Sequence, residues 1–452
     1  MNRIPGKALI YTYRGLDLYF ANVAGRIFQG GVTVTTCWPG VDGVDLQKRF
    51  YRFFHRGVRE VGLAEADFNQ IIARCSVLRL LPQSQARRMV TSMCQVIDEL
   101  YDHVRPDYLL TVSVDNYVTD LLARRAKIRN IRTIMLLAGT IPNTTTITSY
   151  GEFQFVREPG EGEVQKALSH FLDDHQRVTY HQSFAPYTFW TQFRLVSTWW
   201  LKRVCFKALG FLHGDPLNFR YLMGSISTRD GQSSLRNSRC AGYFDQHWED
   251  KLSACPLPTL FIPLSYTPEA SVSYWLGDLA YLKYEEFILD ACRLLGRQYH
   301  LLVKEHWAAL GVRRWEFYRA LKQLSNVTII PAEVNSRHVM SKTDRVLVGA
   351  GTAGIEAAVR GKRVVTLDKP YYFMDGYYLP LGSAGRLKDL PTLLEEFRSP
   401  VTGESGRADV VRKVLQSTFR GTFLPGDALK CDANISLASE GIRNFILSRL
   451  TA

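Results

Sequence analysis

Residues 347–367, LVGAGTAGIEAAVRGKRVVTL, set three glycines in a G-x-G-x-x-G pattern behind an apolar run, with Asp368 directly after. Glycines so spaced admit a phosphate against the backbone, and an acidic residue about twenty positions on would hold a ribose in a dinucleotide fold. Two proportions argue against nicotinamide or flavin. The helix between Gly354 and the reversal at Gly361 has room for roughly two turns, fewer than a dinucleotide fold uses. The motif also lies deep inside its domain, whereas the fingerprint opens one. The competing reading is a tight strand-to-helix turn. There Gly351, Thr352, Ala353 and Gly354 would bring backbone N–H groups and one hydroxyl to a phosphate, and Glu356 would accept from a ribose diol. A third reading is packing alone, since small residues also serve where helix and strand approach closely.

A second constellation is HLLVKEHWAALGVRRWEFYRAL, residues 300–321, in which an apolar strand runs into Lys304, Glu305 and His306. Ligands of open α/β sheets bind at the carboxyl ends of strands, so Lys304 and His306 are candidates to offset the charge of a departing phosphate. The alternative is a histidine with a structural role.

The elements that must position these groups follow from apolar periodicity. Strands are expected at 7–12, 31–37, 107–114 and 133–137, with helices over 17–28, 44–61 and 83–104. Strand signals return at 258–264, 299–304, 326–330, 345–349 and 362–367, alternating with helices at 281–296, 312–324, 335–342 and 353–360. Alternation of this kind predicts parallel sheets covered by helices on both faces. Between them, 151–255 reads as helices and loops, an expected insertion on the first lobe. The expected domains are 1–255, 256–404, and a tail 405–452 with two helices, of which the last crosses back to the first lobe.

The chain has 452 residues, enough for two α/β cores, and its 46% hydrophobic and 22% charged content is that of a globular protein. A formal charge of +13 calls for an anionic partner: nucleic acid, a phosphorylated substrate or an anionic membrane face. The basic residues are scattered as pairs, such as Arg87-Arg88 and Arg313-Arg314, and no RNA-binding or zinc-finger spacing occurs, which disfavours nucleic acid. Eight cysteines without a C-x-x-C suit reduced thiols in a cytoplasmic protein and give no metal site. The opening MNRIPGKALIYTYRG reads as no signal peptide, and no apolar run is long enough to span a bilayer.

In order along the chain, FIPLSYTPEAS (261–271), VKEHWAALGVRRWEFYRAL, NVTIIPAEVNSRHVM and DRVLVGAGTAGIEAAVRGKRVVTL resemble the nucleotide-binding half of the capsule polysaccharide biosynthesis family. These are glycosyltransferases of GT-B architecture, several of which transfer Kdo from CMP-Kdo. The resemblance covers 261–371. It implies an α/β, GT-B-like fold of two Rossmann-like β/α/β domains facing a cleft. It carries donor-phosphate contact to His306 and Thr352, and nucleotide contact to Glu356. Trp307 stands where the family has proline. AGTIPNTTTITSYGEF (138–153) is similar to the acceptor-side loop of these proteins.

A bilobal transferase would take its acid or base from a strand end of the first lobe. Asp115, after the strand 107–114, is the first candidate, its alternative being a helix N-cap. Glu152 is the second candidate, and Glu269 is expected to position the donor. No cofactor or metal is called for, because residues 304, 306 and 352 can offset phosphate charge. The partners implied are a nucleotide-sugar donor and a glycan or lipid-linked glycan acceptor. The segment FRLVSTWWLKRVCFKALGFLH (193–213) reads either as a core helix or as a peripheral contact with an anionic membrane. Other functions of the same fold stay open: a CDP-polyol phosphotransferase, a nucleotide-sugar 2-epimerase, or a non-catalytic subunit of glycan assembly.

Overall fold

The computed structural model describes residues 3–13, 15–37, 44–57, 60–174, 188–212, 214–217, 235–267, 270–306, 309, 311–398, 401, 403–424 and 426–450. Its strands are β1 Ala8–Tyr11, β2 Val32–Thr36, β3 Val44–Asp45, β4 Tyr108–Val112, β5 Arg132–Ala138, β6 Thr144–Ser149, β7 Glu152–Phe153, β8 Thr259–Pro263, β9 His300–Lys304, β10 Val327–Ile330, β11 Arg345–Val348, β12 Arg363–Thr366, β13 Leu379–Pro380 and β14 Thr418–Arg420. The chain divides into two compact units. Unit 1 comprises Met1–Glu158, Lys207–Ser227 and Leu415–Ala452; unit 2 comprises Pro159–Phe206 and Thr228–Val414.

In unit 1 the sheet order is β14-β6-β5-β4-β1-β2-β3, with β7 paired to β6. The strands β1 to β5 pair in parallel and β6, β7 and β14 pair antiparallel. Successive side chains of a strand point to opposite faces. Accordingly Leu9 and Leu109 join the core under the helices Leu46–Arg56, Gln83–Val104 and Tyr117–Ile128, while Ala8, Ile10, Leu110 and Val112 join the core under Asp17–Ile27 and Asp432–Leu450. Burial on both faces explains why these strands read as unbroken apolar runs.

The sheet of unit 2 runs β10-β9-β8-β11-β12-β13, all parallel. Leu260, Ile262, Leu301, Val303, Ile329, Leu347 and Val365 form one core with the helices Tyr284–Leu295 and Trp315–Lys322. Both units are thus doubly wound α/β sheets of the kind the sequence predicts.

Two expectations are corrected. Within 138–153, where a loop is expected, Thr144–Ser149 and Glu152–Phe153 are strands: the threonine-rich TTTITS is β-branched throughout most of its length and nearly all buried, which favours the extended state. Most of 151–255 belongs to unit 2, not to the first domain. The helix Glu161–Leu172 packs on the helix Ala353–Val359, and its closing carbonyls are taken by unit 2 cations. Arg337 donates to His170 O at 3.0 Å and Asp173 O at 2.5 Å, and Arg360 to Phe171 O at 2.5 Å. Cations at a helix C-terminus satisfy its orphan carbonyls and its dipole, which fixes this segment where Arg337 and Arg360 lie. Likewise Cys240 and Phe244 enter the unit 2 core.

Helix Asp432–Leu450 returns to unit 1, where Ser439 Oγ donates to Val23 O at 3.3 Å. A side chain on Gly441 would run into the Phe419 ring of β14. Gly441→Ala is therefore expected to destabilise unit 1 by about 1–3 kcal/mol. Thermal unfolding followed by circular dichroism checks this, and an unchanged midpoint would show that the helix is not packed closely on β14.

Candidate active site

Each sheet has one place where consecutive strands leave a starting strand in opposite directions, and the crevice beyond the strands' carboxyl ends there is where open α/β sheets bind ligands. In unit 2 it lies between β8 and β11. The chain after β8 brings Ser265 and Tyr266, the chain after β9 brings Glu305 and His306, and the chain after β11 brings 349–354.

The frame of this edge is a buried ion pair. Glu305 Oε2 accepts from Arg313 Nε at 2.7 Å and from Tyr318 Oη at 2.5 Å, and its Oε1 accepts from the His306 backbone N–H at 2.5 Å. Arg313 also donates to Ser265 O at 2.9 Å, while Ser265 N–H donates to Tyr284 Oη at 2.9 Å. The turns after β8 and β9 are thereby tied together. The His306 ring stacks on Tyr266 with centroids 5.6 Å apart. Ser265 Oγ is buried and has no hydrogen-bond partner among the described residues.

The three glycines of G-x-G-x-x-G separate by cause. A Cβ on Gly349 would lie 2.6 Å from Ser265 Oγ, and one on Gly354 would strike the Tyr372 phenol. Both are small because protein neighbours press on them. Gly351 faces open space, with its carbonyl held by Tyr372 Oη at 2.7 Å. Thr352 follows, half-buried, and its carbonyl accepts from Glu356 N–H at 3.2 Å. His306 follows β9 and Thr352 follows β11, at the same carboxyl edge of the sheet with β8 between those strands.

Two of the residues expected at the donor, Glu356 and Lys304, have partners within the protein. Glu356 is buried and its Oε1 accepts from Arg337 Nε at 3.1 Å and Nη2 at 3.0 Å, a partner that competes with any ribose. Lys304 is buried, with its ammonium donating to Ala332 O at 3.0 Å and Glu305 O at 3.4 Å. Burial lowers its pKa to about 8 against the pull of Glu305, Glu333 and Glu356. Asp368 accepts from the backbone N–H of Gly277 at 2.6 Å and of Lys369 at 2.8 Å, which makes it a backbone clamp. Glu269 and Trp307 lie outside the described residues.

In unit 1 the corresponding crevice lies between β1 and β4. Asp115 stands there, half-buried beyond β4, and its Oδ1 accepts from Tyr13 Oη beyond β1 at 2.5 Å and from Asn116 Nδ2 at 2.5 Å. Burial raises its pKa to about 6, opposed by those hydrogen bonds. Asp115 is not the helix cap. That is Asn116, whose Oδ1 accepts from Val118 N–H at 2.9 Å and Thr119 N–H at 3.1 Å. Around Asp115, the hydroxyls of Thr12, Ser113 and Thr140 are buried with no partner among the described residues, and they follow the adjacent strands β1, β4 and β5. Glu152 is exposed and is not brought to Asp115: it pairs with Ser149, next to the Thr148–Met135 rung, which sets it about 16 Å back along the strands.

Sequence reasoning passed over Tyr13, Ser265, Glu305, Arg313 and Arg337. Each is a common polar residue whose importance comes from burial and partners, and only the Lys304-Glu305-His306 triplet gave a local signal. Breaking a buried ion pair from one side costs about 3–5 kcal/mol, whereas removing both charges costs less. Arg337→Met should lose that much in urea denaturation, and Arg337→Met/Glu356→Met should regain part of it. A loss below about 1 kcal/mol in the single variant would free Glu356 for a ligand role.

Residues 287–379 match the model of the family described as capsule polysaccharide biosynthesis protein. No curated protein matches the chain by sequence. Among solved structures, the UDP-GlcNAc 2-epimerase from Neisseria meningitidis bound to UDP-GlcNAc is similar at 13% identity, over 98% of this chain and 100% of that one, with a TM-score of 0.31. The beta Kdo 2,7 transferase of Thermosulfurimonas dismutans KpsC is similar at 14% identity, over 78% and 89% of the two chains, with a TM-score of 0.36. The beta Kdo 2,4 transferase of the same protein is similar at 14% identity, over 69% and 81%, with a TM-score of 0.33. The matched segment runs from the helix before β9 to β13 and holds both His306 and the 349–354 turn.

Proposed function

We propose that the chain is a glycosyltransferase of capsule or other surface polysaccharide assembly, moving a sugar from a nucleotide-activated donor to a glycan or lipid-linked glycan. The observation that carries this reading is the coincidence of the family match with the switch-point edge of unit 2, where His306, Ser265 and Gly351 gather. CMP-Kdo is the favoured donor on the family resemblance. The donor phosphate lies against the open backbone at Gly351 and the Thr352 hydroxyl, with His306 offsetting the charge that develops as the sugar–phosphate bond breaks. Neither Glu356 nor Lys304 is required in that contact.

Asp115 is the base. It takes the proton of an acceptor hydroxyl as that oxygen bonds to the anomeric carbon, and the nucleotide leaves with the bonding electrons. The unpartnered hydroxyls of Thr12, Ser113 and Thr140 beside it suit a polyhydroxylated acceptor, because buried polar groups seek partners.

Titration calorimetry with CMP, CDP and UDP tests the donor half. His306→Ala should cost about 1.5–3 kcal/mol of nucleotide affinity. Gly351→Ala, whose methyl meets open space within the protein, should keep the parent's thermal midpoint yet weaken binding. Failure of all three nucleotides to bind would sink the reading. For the catalytic half, a base must be deprotonated, so turnover should rise with pH through about 6, the value to which burial brings Asp115. Asp115→Asn should abolish that limb and lower kcat by roughly 100- to 10,000-fold with nucleotide affinity intact. Mass spectrometry of product from an acceptor glycan and a panel of activated sugars identifies the transfer.

A further inference from the structure

The helix Phe189–Leu212, FWTQFRLVSTWWLKRVCFKALGFL, contains no Asp or Glu and carries Arg194, Lys202, Arg203 and Lys207. Its apolar residues fall on two faces with different surroundings. Gln192, Val196 and Gly210 are buried, and the half-buried Trp199, Arg203 and Phe206 continue that side at helical spacing. The other side is a broader stripe whose successive members stand three, seven, one, three and seven residues apart. Trp190 is 73% exposed, Phe193 39%, Trp200 55%, Leu201 59%, Val204 47% and Phe211 78%.

An apolar stripe of this size facing solvent marks a surface made for contact. We propose that it lies in the headgroup region of an anionic phospholipid bilayer, its ring and aliphatic side chains at the acyl boundary and its cations against lipid phosphates. The charge pattern selects lipid over a second copy of this chain. Arg194 and Lys207 project on either flank of the stripe, and two such helices face to face would oppose cation to cation with no carboxylate in either. Tryptophan suits the interface because it pairs a large apolar body with one N–H donor. Long basic side chains can reach outward to phosphate while their stems stay apolar. The helix lies on the membrane instead of crossing it: no helix among the described residues is long and apolar enough to cross one. The chain's formal charge of +13 adds attraction at longer range. None of this rests on the transferase reading.

Flotation of the full chain with phosphatidylcholine vesicles, with and without phosphatidylglycerol, at low and high salt, tests the proposal. The protein should float with the anionic vesicles at low salt and largely dissociate at high salt. Arg194→Gln/Lys207→Gln should weaken partitioning roughly thirtyfold, at about 1 kcal/mol per cation. Trp190→Glu/Trp200→Glu should abolish flotation while keeping the parent's thermal midpoint, since both rings are exposed. Absence of flotation at low salt, or flotation unchanged in the tryptophan variant, would overturn it. So would a dimer, seen by light scattering, that the tryptophan variant dissociates while the parent does not float.

Discussion

The carboxylate of Glu305 inside unit 2 is the constraint from which the carboxyl edge of its sheet is built. A buried charge is tolerated only when its oxygens are satisfied, and here one arginine, one phenol and one backbone N–H satisfy them. The consequence is positional. His306 starts from a backbone nailed to Glu305, and Ser265 is fixed on both its N–H and its carbonyl. Two loops that would otherwise wander are thus held at one height above the sheet, and the turn at Gly349 can close on Ser265 only because it has no side chain.

The glycine pattern shows how one motif can mix causes. Gly349 and Gly354 are explained by protein neighbours, whereas Gly351 borders open space. A pattern read only as a phosphate fingerprint merges these roles. The helix that follows spans seven residues, so in the proposed donor site the turn itself, more than the helix dipole, would carry the phosphate contact. In unit 1 the analogous crevice is built from side chains: a phenol from beyond β1 reaches the carboxylate beyond β4, and Asn116 both caps a helix and steadies that pair.

Much of the architecture was legible because strands buried on both faces leave continuous apolar runs, as in ALIY, YLLTV and HLLVK. The strand TTTITS escaped because its hydroxyls mask its β-branched character, and the short β7, β13 and β14 have too few residues to show a period. Sheet order placed Asp115 and His306 at strand ends as their apolar approaches implied. For Lys304 and Glu356 the sequence reports that a charge is present but not which other part of the chain already meets it. Arg337, nineteen positions before Glu356, and Ala332, twenty-eight after Lys304, carry no local mark of those partnerships. The helix Phe189–Leu212 was ambiguous because its apolar residues serve an inner and an outer face, which cancels the usual one-sided pattern.

The return of residues 415–450 to unit 1 has a temporal side. A ribosome releases the chain from its first residue onward, so β1 to β7 emerge long before β14 and the helix Asp432–Leu450 that completes their sheet and covers one of its faces. Until then the face that carries Ile10 and Leu110 has only the helix Asp17–Ile27 to cover it, so the unit that is begun first is completed last.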